Sequence, residues 1–93
     1  MDARTDPAAR YAAQVRWAAA AMDERFSPYS AAEKVMEMVN DEPETFDHMP
    51  GVERLWQLVV NYRQVDSDAQ AAVSVAIREF LTDLAERLVS AEG

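Results

Sequence analysis

His48 is the only histidine in 93 residues, and it sits in the most acidic loop of the chain. Asp41, Glu42, Glu44 and Asp47 precede it within seven positions. Carboxylates beside an imidazole are the groups that hold hard metals or move protons. The order of the acids is nevertheless wrong for a calcium loop, which needs glycine at the sixth position and glutamate at the twelfth. No H-x-x-x-H or E-x-x-H pair falls at helical spacing, which disfavours a dinuclear carboxylate bundle. A Ser–His or Cys–His nucleophile would have to use His48, and no nucleophile-elbow sequence is present. Gly-rich phosphate loops are absent as well. The ordinary state of such a run is a solvated loop that caps a helix. No catalytic residue, metal ligand or cofactor is expected. A ligand-binding or metal-binding bundle using Glu44, Asp47 or His48 stands as a minor alternative.

Charge points elsewhere. The formal charge is −8 and is uneven. Residues 1–25 balance four arginines against four acids, while residues 26–50 set Lys34 against six acids and 51–93 set four arginines against seven. Such a surface repels nucleic-acid phosphates and anionic membranes and favours basic partners. The nine positive residues are dispersed among acids rather than gathered with aromatics, so direct nucleic-acid binding is not expected. Acidity that only keeps the chain soluble is the plainer reading.

The elements that must carry these groups read as helices. There are two glycines and no cysteines, alanine is abundant, and no stretch alternates apolar with polar residues. That composition and periodicity predict an all-α fold, without disulfides, in one domain spanning 1–93. Residues 1–5 and 91–93 are expected to be frayed. No secretory segment or membrane-length apolar run is seen, which suggests a soluble, cytoplasmic chain.

Asp6-Pro7 suits a helix start, giving a first helix over about 7–25 with Tyr11, Val15, Ala18, Met22 and Phe26 on one stripe. Ser27-Pro28-Tyr29 should break it. Ser30 with Glu33 has capping-box spacing and predicts a second helix over 31–40, with Ala32, Val35, Met36, Met38 and Val39 inward. Pro43 can open one short turn near 43–47 that tucks Phe46 inside. Val52 to Gln64 carries an apolar arc of roughly 200° and reads as the central helix over 51–64, with Trp56 in the core. Ser67 or Asp66 caps a last helix over 68–90, lined by Val73, Ile77, Phe80, Leu81, Leu84 and Leu88. The sum is a four-helix bundle or an irregular helical array. Met22, Met36, Met38 and Met49 read as gap-fillers of its core rather than as an adaptable groove.

Trp17 departs from the first helix's stripe and lies among Ala13, Ala20 and Ala21. The plainer reading of this off-stripe indole between small residues is that a neighbouring segment of the chain covers it; the functional reading is a partner or self-association surface. The leading functional expectation is therefore a non-enzymatic protein–protein interaction module. It would act as an inhibitor or adaptor on a basic, nucleic-acid-binding surface of another protein, as a nucleic-acid mimic does. Its partner-binding residues would be Trp17, Glu33, Glu37, Asp41, Glu42, Glu44 and Asp47. Phage-encoded antagonists and immunity-type proteins are similar in class, being small and acidic, but no motif identifies a family. The rival expectation is a structural subunit or homodimer. The rich aromatic content and the long last helix favour apolar surface shared between copies.

Overall fold

The computed structural model describes residues 6–22 and 25–92, with side chains as far as Leu88. Five helices follow in order: α1 (Pro7–Ala21), α2 (Pro28–Asp41), α3 (Pro43–Phe46), α4 (Val52–Gln64) and α5 (Ser67–Glu92). Four form a bundle, and α3 is the expected single turn. The all-α expectation holds. The predicted fraying of 1–5 lies outside the described residues, and so do Asp23, Glu24 and Gly93.

Helix ends differ from expectation where capping chemistry had two solutions. Asp6 caps α1 as predicted, its carboxylate accepting from the Ala8 amide at 3.0 Å. The helix stops at Ala21, short of Arg25, because the Arg25 and Phe26 amides both turn back to the Ala21 carbonyl at 3.0 Å. The longer of these closures is the i→i−5 bond that ends many helices, and Phe26 leaves it to pack on the core edge. α2 starts three residues earlier than predicted. Ser27, not Ser30, is the cap, and its hydroxyl accepts from the Ser30 amide at 3.1 Å. Pro28 then takes the first helical position, where a missing N–H costs nothing. For α5 the cap is Asp66, accepting from the Ala69 amide at 3.0 Å. Its backbone stays helical to Glu92, beyond the predicted end at 90.

One core runs through the whole bundle. Tyr11, Val15 and Ala18 from α1, with Met22 just past its end, meet Ala31, Ala32, Val35, Met36 and Val39 from α2. Leu55, Leu58 and Val59 of α4 and Val73, Ile77, Leu81 and Leu84 of α5 complete it, with Phe46 fully enclosed. Met22 and Met36 are buried, and Met38 and Met49 pack partly buried against the core, as gap-fillers do.

Two expectations about α4 fail. It packs chiefly on α5 and α2, whereas α2 and α5 each meet α1 and α4 as well as one another. The shared elements are thus α2 and α5, which form the short diagonal of the bundle. Trp56 is not a core residue: it is 42% exposed. On a helical wheel Val52, Leu58, Val59 and Tyr62 all lie within about 60° of Leu55, whereas Trp56 lies about 100° away. The wide apolar arc overstated what two neighbours cover.

Candidate partner-binding surface

α1 and α2 run antiparallel, and α1 is tied at three levels to α2 and the links that flank it. At one end the Arg10 guanidinium meets Glu42 at 3.2 Å and stands over the Phe46 ring, 5.1 Å from its centroid. In the middle, the Gln14 side-chain amide donates to the Lys34 carbonyl at 3.3 Å. At the other end the Trp17 ring meets Phe26 in a tilted contact, centroids 5.6 Å apart and planes at 59°. Arg10, Gln14 and Trp17 recur every three or four residues, the spacing that keeps side chains on one face of a helix.

Trp17 remains 44% exposed. Together with Ala20, Ala21, Arg25 and Phe26 it lines a depression of about 150 Å³. Ala20 and Ala21 put no bulk in the way, so a side chain from outside can reach the indole face. Large, half-exposed aromatics over small neighbours are the usual anchors of protein interfaces. No segment of the described chain covers the indole.

The acidic residues expected to act with Trp17 do not share one surface with it. Glu33 lies on the opposite flank of α2, paired with Arg63 of α4 at 3.2 Å. Arg63 also donates to the Tyr29 hydroxyl at 2.6 Å, and Tyr29 stacks on Tyr62 with centroids 4.1 Å apart. The hydrogen bonds to Tyr29 and then Glu33 hold the Arg63 pKa above its ordinary value. This group latches the start of α2 to the end of α4, and sequence spacing did not reveal it because its partners are about thirty residues apart. Glu42 is taken by Arg10, and Glu37 meets Lys34 at 3.4 Å one turn away. Asp47 stands 3.4 Å from the His48 Nδ1. Among the described residues, Asp41 and Glu44 are the two members of the expected set with no ion-pair or hydrogen-bond partner. Both are exposed at the α2–α3 corner.

A second concavity lies at the start of α4. It is an open groove of about 390 Å³ lined by Asp47, His48, Met49, Gly51, Glu53, Arg54 and Gln57. Its charged side chains face water and bear no mark of an enclosed reaction centre. Among the described residues no group of three His, Asp or Glu side chains is placed to hold a metal ion. None of the charged or polar residues lining this groove is buried; the enclosed Tyr11 hydroxyl, in the core, donates to the Pro50 carbonyl. No helix among the described residues is long and apolar enough to cross a membrane.

No family model, curated protein or solved structure matches this chain.

Proposed function

We propose that this chain is a protein–protein interaction module without catalytic activity, an inhibitor or adaptor that docks on another protein through Trp17. The observation that carries the reading is the half-exposed indole tilted on Phe26 at the rim of an alanine-floored depression. Tryptophan in a pocket of this kind supplies a large share of binding energy at an interface. The formal charge of −8 supports a partner with a basic surface, including one that otherwise binds nucleic acid. Within the expected acidic set, Asp41 and Glu44 are the groups best able to meet such a partner, since Glu33, Glu37 and Glu42 already hold cations.

The test is capture of a partner from the native host by the immobilised parent, by Trp17→Ala and by Trp56→Phe. The expected result is one partner retained by the parent and by Trp56→Phe, lost by Trp17→Ala, and released by salt. Retention by folded Trp17→Ala would overturn the reading. Retention unchanged from low to high salt would overturn its electrostatic part.

A second reading, a homodimer or structural subunit, draws support from Trp56, an exposed indole on the far side of the bundle. Light scattering decides it. A parent dimer that becomes monomeric in Trp56→Ala would support this reading, and a monomeric parent would end it.

A further inference from the structure

Part of the Trp17 depression lies outside α1. Trp17, Ala20 and Ala21 belong to that helix, whereas Arg25 and Phe26 precede the Ser27 cap of α2. We infer that Tyr29 and Arg63 are positioning residues for the Trp17 site: by latching the first turn of α2 to the end of α4, they hold Phe26 against the indole from the opposite flank of α2. The inference rests on the interaction-module reading for its function, and it names what sets the shape of that site.

The first support is where the chain is held. Met22 and Tyr29 stand on either side of Phe26, and each is met by an arginine from another helix. Arg78 of α5 donates to the Met22 carbonyl at 3.4 Å, and Arg63 of α4 donates to the Tyr29 hydroxyl at 2.6 Å. The Phe26 amide itself bonds to the Ala21 carbonyl, which fixes its nitrogen to the end of α1. Rotation about φ still swings the Phe26 ring together with the onward chain, since φ and ψ are the soft angles of the backbone. The direction in which α2 departs therefore sets where the ring lies.

The second is the stiffness of the turn between Phe26 and Tyr29. Ser27 caps it through the Ser30 amide, and the Pro28 ring fixes its own φ. A displacement at Tyr29 is thus passed back to Phe26 rather than absorbed on the way.

The third is the make-up of the latch. Tyr29 stacks on Tyr62 with planes at 14°, and the Arg63 guanidinium stands 5.8 Å from the Tyr29 ring centroid while meeting Glu33 at 3.2 Å. A lone exposed ion pair fixes little. Here a stacked ring, a hydrogen bond and an ion pair all bear on the first two turns of α2, which determines the placement of that helix end.

The probe is acrylamide, a neutral quencher of indole fluorescence. It is applied to the full chain carrying Trp56→Phe, in which Trp17 is the sole indole. Arg63→Gln should raise the quenching of Trp17 and shift its ¹⁵N indole resonance, with helicity by circular dichroism unchanged. Tyr29→Phe keeps the ring and removes the 2.6 Å bond, so it should move both signals the same way by less. It carries the test should Arg63→Gln fail to fold. The control is Arg10→Gln, which cuts an ion pair of the same 3.2 Å length on Trp17's own helix and should leave both signals in place. Unchanged quenching in the folded latch variants would overturn the inference. So would an equal rise in Arg10→Gln, because the loosening would then be general. The measurement reads the free chain, so its failure is separable from that of the interaction-module reading. Capture of a partner that depends on Trp17, together with unchanged quenching, would leave that reading standing and sink the positioning role alone.

Discussion

The Tyr11 hydroxyl donates a 2.6 Å hydrogen bond to the carbonyl of Pro50, 39 residues further along the chain. Tyr11 is otherwise enclosed in the core, and Pro50 immediately precedes the left-handed Gly51 that starts α4. The bond thus fixes the entry to α4 against the first turns of α1. It also gives the phenol the one polar partner that a buried tyrosine needs.

Tyr11→Phe keeps the ring and removes this bond. The expected loss is about 1 kcal/mol, since the Pro50 carbonyl can turn to water. Burial pushes the Tyr11 pKa up to about 12, from an ordinary 10.0. The folded state therefore holds its proton where the unfolded state releases it. Below pH 10 this group has no effect on the pH dependence, and between pH 10 and 12 its contribution to stability is lost. Urea melts across that range should show the parent losing stability more steeply than Tyr11→Phe. Equal slopes would mean that the phenol ionises freely in the folded chain.

Gly51 has φ of +83°, and a Cβ built there would lie 2.9 Å from a Leu84 methyl and 3.1 Å from the Phe80 ring. Backbone strain and crowding act in the same direction. Gly51→Ala should destabilise by about 1–3 kcal/mol. A chemical melt showing an unchanged midpoint would mean that α4 can start with a different turn.

Leu55 and Trp56 are neighbours with opposite environments, one fully buried and the other exposed. Leu55→Ala opens a cavity and should cost about 2–5 kcal/mol. Trp56→Ala, although it deletes more atoms, should cost no more than about 1.5 kcal/mol because much of the ring already faces water. Thermal melts of the pair give the comparison, and the reverse order would return Trp56 to the core.

Ser27 and Ser30 compete for the role of cap on α2. Ser27→Ala removes the acceptor of the Ser30 amide and should cost about 1 kcal/mol. Ser30→Ala removes only an exposed contact between the two hydroxyls and should be close to neutral. Helicity and melting midpoint, measured together, separate the two. A larger loss at Ser30 would place the cap where the Ser30–Glu33 spacing suggests.

Most of the fold was readable from local rules. The Asp6-Pro7 start, the turn at Pro43 that buries Phe46, and the α5 stripe from Val73 to Leu88 each depend on residues within a few positions of one another. Periodicity and capping report such interactions directly. Ser27 against Ser30 shows the limit of these rules. Both are serine, both precede helix-forming residues, and the choice follows from Pro28 accepting the first helical position.

The surface was less readable. Trp17 was identifiable as a residue that leaves a well-defined stripe, but whether a neighbouring segment covers it was decided only by the bundle, which leaves it 44% exposed. Trp56 was not, because the arc on α4 is wide and its coverage depends on where α2 and α5 lie. The acidic 33–47 stretch looked like one field of charge, yet its carboxylates are divided between two flanks of α2 and are largely claimed by Arg63, Lys34 and Arg10.

The sequence by itself determined that the chain is helical, where its helices run to within a few residues, and that its net charge is strongly negative. These properties depend on neighbours along the chain. Only the tertiary structure decided that α2 and α5 are the shared elements, that Trp56 faces outward, and that Glu33, Glu37 and Glu42 are paired with cations while Asp41 and Glu44 are exposed at the α2–α3 corner. Each of these depends on groups brought together across the bundle, where the geometry of packing and not the order of residues chooses the partners.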